Sequence, residues 1–147
     1  MRKFFILLIV SIIGLSSVGQ VRKIPSEVTD AFAKQYPAAS KIEYEDNLLN
    51  VHVHFVLDNL KWIAKYENDG KWKETEKQFG YDQLPSDVRD GFQKSKYARG
   101  WKVKETSIIY LPNDDTRYRV KVEKGDVQKK YLFFDEKGSL IRDALTI

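Results

Sequence analysis

"IPSEVTDAFAK", residues 24–34, is echoed sixty positions later by "LPSDVRDGFQK", residues 84–94. Six of the eleven paired positions are identical: Pro, Ser, Val, Asp, Phe and Lys. Each copy carries a helix signal. Pro25 and Pro85 suit the first helical position, where no N–H is needed. Glu27 and Asp87 follow near the positive end of the helix dipole. Val28, Ala31, Phe32 and Tyr36 recur at helical spacing and form one apolar stripe, and Val88 and Phe92 do the same in the second copy. Gly91 stands where the first copy has Ala31, which weakens the second helix or lets something pack closely against it. Pro37 ends the first helix and Gly100 follows the second.

After each helix the period changes from helical to alternating. "KIEYE" at 41–45 sets Ile42 and Tyr44 against charges. "VHVHFVL" at 51–57 sets Val51, Val53, Phe55 and Leu57 against His52, His54 and Val56. Asp58-Asn59 reads as a turn into "KWIAKYE" at 61–67, and Asn68-Asp69-Gly70 is a strong hairpin signal into 71–77. Downstream, strands are expected near 101–110, 117–123, 127–134 and 139–145. The polar "LPNDDT" at 111–116 lengthens one hairpin of the second copy. The expected fold is therefore α+β: two tandem repeats, each one helix followed by a four-stranded antiparallel meander, with the helices packed on one face of the sheet. A unit of about 60 residues is marginal alone. Two units side by side would extend the sheet and share a core, leaving the other face wet.

Residues 1–19 read differently. Arg2 and Lys3 precede an almost unbroken apolar run from Phe4 to Leu15, and Ser17-Val18-Gly19 offers small residues for cleavage. The run is too short for a bilayer span, which needs roughly twenty residues. It is expected to be a signal peptide cut near Gly19, giving a periplasmic or secreted chain with no membrane span in its mature part. With no cysteine, that chain carries no disulfide, no thiolate chemistry and no cysteine metal site. Without Arg2 and Lys3 it holds 23 basic and 21 acidic residues, a net of +2, too small to argue for nucleic acid.

The order of these features resembles a known family. The opening "[IL]PS[ED]V" with an aromatic four residues after the Val, then "KIEYE", then Asn68-Asp69-Gly70-Lys71-Trp72, is similar to the PepSY-like, beta-lactamase-inhibitor-like family of exported bacterial proteins. "YRVKVEKGDVQKKYLFFDEKGSL" at 118–140 resembles it too. The resemblance implies two copies, 20–80 and 81–147, in one compact domain. It also implies an extracytoplasmic module that binds something, with no catalytic residues to carry over.

Several side chains are candidates for that binding. His52 and His54, two apart on one strand, point to the same face. They can begin a zinc or copper site completed by Glu43 or Glu45, or simply occupy a solvated face. Trp72, beside Glu74 and Glu76 on its strand, is the best exposed aromatic, although most aromatics here should be core. Arg117, Arg119 and Lys121 share a face, with Gln128 and Lys130 expected across from them. This patch is either a docking surface for an acidic partner or ordinary protection of a strand. No serine lies in a strained elbow, no glycine-rich phosphate loop is present, and the carboxylates at 74, 76, 114 and 115 sit in solvated contexts. The chain is expected not to be an enzyme and to need no cofactor. The expected function is a binding module presenting its helix-free sheet face to a protein or peptide of the cell envelope, with an inhibitor-like role. The alternatives are a small-ligand or metal binder using His52 and His54, or an envelope scaffold.

Overall fold

The computed structural model describes residues 23–145; the expected signal peptide lies outside them. Helix α1 (Ser26–Gln35) leads into strands β1 (Ser40–Asp46), β2 (Asn50–Leu57), β3 (Leu60–Glu67) and β4 (Trp72–Phe79). A short 3-10 turn (Tyr81–Gln83) precedes helix α2 (Ser86–Lys94). Strands β5 (Lys102–Tyr110), β6 (Thr116–Lys124), β7 (Gln128–Phe134) and β8 (Leu140–Leu145) follow. Among the described residues no helix is long and apolar enough to cross a membrane.

The architecture corrects the expectation of two tandem repeats, each with its own four-stranded meander. All eight strands form a single antiparallel sheet in the order β1-β2-β3-β4-β5-β6-β7-β8, and it carries just two helices among the described residues. The deciding contact is the β4–β5 ladder, in register from Thr75 opposite Tyr110 to Phe79 opposite Thr106. Unpaired strand edges leave rows of unsatisfied N–H and C=O groups. Here β4 and β5 satisfy each other, so the sheet has no internal boundary. The expected common core is corrected as well. Val28 and Phe32 of α1 pack on Val51, Val53, Phe55, Ala64 and Tyr66. Val88 and Phe92 of α2 pack on Val120, Val122, Leu132 and Phe134, in a second cluster.

Both helices start in the same way. Pro25 and Pro85 have extended ψ values of 138° and 148° and stand just before the first helical residue. Neither helix has a side-chain cap, so the acidic residue of the first turn, Glu27 or Asp87, is what complements the dipole. Buried hydroxyls tie α1 to the sheet. The Tyr66 hydroxyl donates to Gln35 Oε1 at 2.7 Å, and the Tyr36 hydroxyl meets Thr75 Oγ1 at 2.6 Å. Burial pushes the Tyr66 hydroxyl well above its ordinary pKa, so it stays a neutral donor. The β2–β3 turn uses Asp58 and Asn59 at φ of 51° and 60°, the paired positive values a two-residue hairpin requires.

Helix α2 leans on the β7–β8 turn through two glycines. A Cβ on Gly91 would stand 1.9 Å from the Gly138 carbonyl oxygen, and Gly138 itself has φ +78°. Gly91→Ala is therefore expected to lower stability by roughly 1–3 kcal/mol through overpacking. In an unpacked helix the same change would add about 1 kcal/mol. Urea unfolding reads the sign directly, and a stabilised variant would show that the helix–turn contact opens freely.

Candidate functional site

The strand register sorts every side chain to one face of the sheet. Val53, Ala64, Thr75, Tyr110 and Thr116 lie in line on the helix side. The neighbouring positions line the opposite, helix-free side. Along it run Glu43–His54–Ile63–Glu76–Ile109–Arg117 across β1 to β6. Parallel to that line run Gln78–Ser107–Arg119–Phe133–Arg142 and Glu105–Lys121–Tyr131–Ala144.

The centre of this face is buried although both helices pack on the other side. Glu76 is 4% exposed, Ser107 2% and Ile109 5%. Arg119 reaches diagonally across β5 and donates from Nη2 to Glu76 Oε1 in a close ion pair. Its guanidinium also lies over the Tyr131 ring, 4.4 Å from the centroid. One strand further, Arg142 lies 4.2 Å over the Phe133 ring. Guanidinium on an aromatic face is favourable and holds both groups in place. The result is a patch of two half-buried rings and two arginines on β6, β7 and β8.

Arg117, Arg119 and Lys121, read as either a docking surface or ordinary strand protection, do share a face, but most of their charge is answered locally. Arg117 meets Asp115 at 3.2 Å, Arg119 meets Glu76, and Lys121 meets Glu105 at 2.9 Å. The hydrogen bond to Glu105 raises the Lys121 pKa above its ordinary value, partly offset by burial. Lys130 is not with them. It stands opposite Val122, so it lies on the helix side, where its ammonium is 3.3 Å from Asp143 and from the Tyr97 hydroxyl. The Tyr97 hydroxyl, followed by Lys130, holds the Asp143 carboxyl below its usual range.

Trp72 also lies on the helix side. On β3, Lys65 and Tyr66 are adjacent, yet they pair with Glu74 and Trp72, which are two apart. The extra residue, Lys73, is a bulge, and it moves Trp72 to the face opposite Glu74 and Glu76. The indole packs on the α1 core, and its Nε1 donates to Thr75 Oγ1 at 2.8 Å.

His52 and His54 are on the helix-free face, at the β1 end. His52 stands opposite Glu45 and His54 opposite Glu43. Glu45 nevertheless turns to His54, with Oε2 3.0 Å from Nε2. That contact, above all, keeps the Glu45 carboxyl below its usual pKa. Burial, then the charge of Lys65, lowers the His52 pKa. Sequence reasoning offered none of Tyr131, Phe133 and Arg142 as a binding candidate. The signal was present: in 128–134, Lys129, Tyr131 and Phe133 alternate against Lys130, Leu132 and Phe134.

A family model described as "Putative beta-lactamase-inhibitor-like, PepSY-like" matches residues 51–142. No curated protein matches the chain. Among solved structures, a BLIP-like protein from Bacteroides fragilis is similar at 28% identity and a TM-score of 0.75, over 86% of this chain and 89% of that one. A DUF2874 family protein from Bacteroides ovatus is similar at 22% identity and a TM-score of 0.76, over 84% of this chain and 89% of that one. A Bacteroides eggerthii chain described under "putative periplasmic proteins" is similar at 21% identity and a TM-score of 0.76, over 84% and 90%. The last two likenesses carry the fold alone. The family match spans more than half of the sequence and runs from within β2 to within β8, so the chain belongs to the beta-lactamase-inhibitor-like, PepSY-like family.

Proposed function

We propose that the protein is a non-enzymatic binding module of the cell envelope that docks a protein or peptide on its helix-free sheet face, in the manner of an inhibitor. The observation that carries this reading is the patch of Arg119 on Tyr131 and Arg142 on Phe133. Tyr and Arg are the residue types that most often dominate interface energies, above all when held rigid and partly desolvated. The ion pairs around the patch form a polar rim. Family membership and the likeness to a BLIP-like protein support an inhibitor-like role.

The test is capture of envelope proteins on the immobilised full chain, followed by measured affinities for whatever is retained. Tyr131→Ala should weaken a retained partner by about 2 kcal/mol, or roughly 30-fold. Charge reversal of Arg117 and Arg142 should weaken it further, while reversal of Lys34 on α1 should leave it unchanged. Arg119 is left intact because its ion pair is structural. Retention of the same proteins at the same affinity by the face variants would overturn the reading.

A further inference from the structure

We propose that Glu45, His52 and His54 form a binding site for a borderline divalent cation, zinc or copper(II), at the β1 end of the helix-free face. The ligand atoms of the three residues all lie within 4.8 Å of one another. Two features of the sheet bring them there. The two-residue period of β2 puts both imidazoles on one face. The β1–β2 register then sets Glu45 opposite His52 and diagonal to His54. In a tetrahedral site with metal–ligand distances near 2.0–2.1 Å, neighbouring donors are ~3.3 Å apart. Glu45 Oε2 and His54 Nε2, at 3.0 Å, are already close to that spacing. The His52 ligand atom lies within 4.8 Å of the other two, a gap on the scale of a side-chain rotation.

The mounting is firm. Strand β2 is laddered on both sides, to β1 and to β3, so the backbone of both histidines is held. Lys65, opposite His52 across the face, is engaged by Glu74 at 2.6 Å. Two imidazoles and one carboxylate suit zinc and copper(II) and disfavour magnesium and calcium, which take all-oxygen sites. Three protein donors leave at least one position open to water or to a donor from a bound partner.

The experiment is calorimetric titration of the untagged full chain with zinc and with copper(II). The expected result is one equivalent bound by at least one of the two metals. His52→Ala and His54→Ala should each weaken binding at least tenfold, and Glu45→Gln should weaken it measurably. Glu43→Gln, on the same face but outside the trio, should bind as the parent does. Thermal unfolding of each variant separates lost binding from lost folding. Metal-induced shifts of both histidine ring resonances in the unaltered chain provide a readout that needs no variant. Absence of saturable binding for both metals would overturn the proposal, as would undiminished binding in the double histidine variant.

Discussion

Glu76→Ala is expected to cost the protein about 3–5 kcal/mol of stability, because it strands an arginine that is largely withdrawn from solvent. The side chains of Glu76 and Arg119 are 6% and 16% exposed, so neither charge is well solvated. Between them lie Ser107 and Ile109, both buried. After the substitution Arg119 would remain on the Tyr131 ring without a counter-ion, in a place where little water reaches it. The ring offsets only ~1–2 kcal/mol of that loss. Removing both charges should cost less than removing one: Glu76→Leu combined with Arg119→Met avoids the unpaired ion altogether. Urea unfolding of the four species in a double-mutant cycle measures the coupling. Additive effects would show that the pair is solvent-screened after all. The double variant should also lose partner affinity, since Arg119 fixes Tyr131 at the centre of the proposed docking patch.

Phe32→Ala is expected to be as severe, at about 3–5 kcal/mol. Phe32 is 1% exposed and touches rings on three other elements. Its centroid is 5.0 Å from Phe55 of β2, 6.1 Å from Tyr44 of β1 and 6.5 Å from Tyr66 of β3, each in an edge-on arrangement. Truncation removes the transfer energy of the ring and leaves a cavity whose walls are held by strand pairing, so it collapses poorly. Phe32→Leu keeps most of the volume and should cost less than about 1.5 kcal/mol. A urea midpoint for Phe32→Ala close to that of the parent would mean that α1 is not anchored through this residue.

These two sites show different degrees of legibility. Phe32 could be read as an anchor from the helical stripe alone, because the spacing Val28–Phe32 and the apolar character of both are local properties. Glu76 could not. Its partner is 43 positions away, and nothing in "KETEK" separates a solvated glutamate from one whose charge is buried. The histidine pair lies between these cases: strand period placed both rings on one face, but the choice of Glu45 over Glu43 depended on side-chain geometry.

Taken by itself, the amino-acid sequence determined the pieces. It marked two helices opening at Pro25 and Pro85, alternating strands, the Asn68-Asp69-Gly70 hairpin, and the family to which the chain belongs. All of these depend on periods and turn chemistry that a short window contains. The tertiary structure decided how the pieces join and which way they face. Pairing of β4 with β5 made one eight-stranded sheet in place of two meanders. The bulge at Lys73 took Trp72 off the face of Glu74 and Glu76, and the β6–β7 register put Lys130 opposite Val122. Asp115, Glu76 and Glu105 answered a row of charges that looked bare. The physical reason is the same throughout. Facing and register are set by hydrogen bonds and ion pairs between strands, and a one-residue slip there reverses a side chain without altering the local pattern that announces the strand.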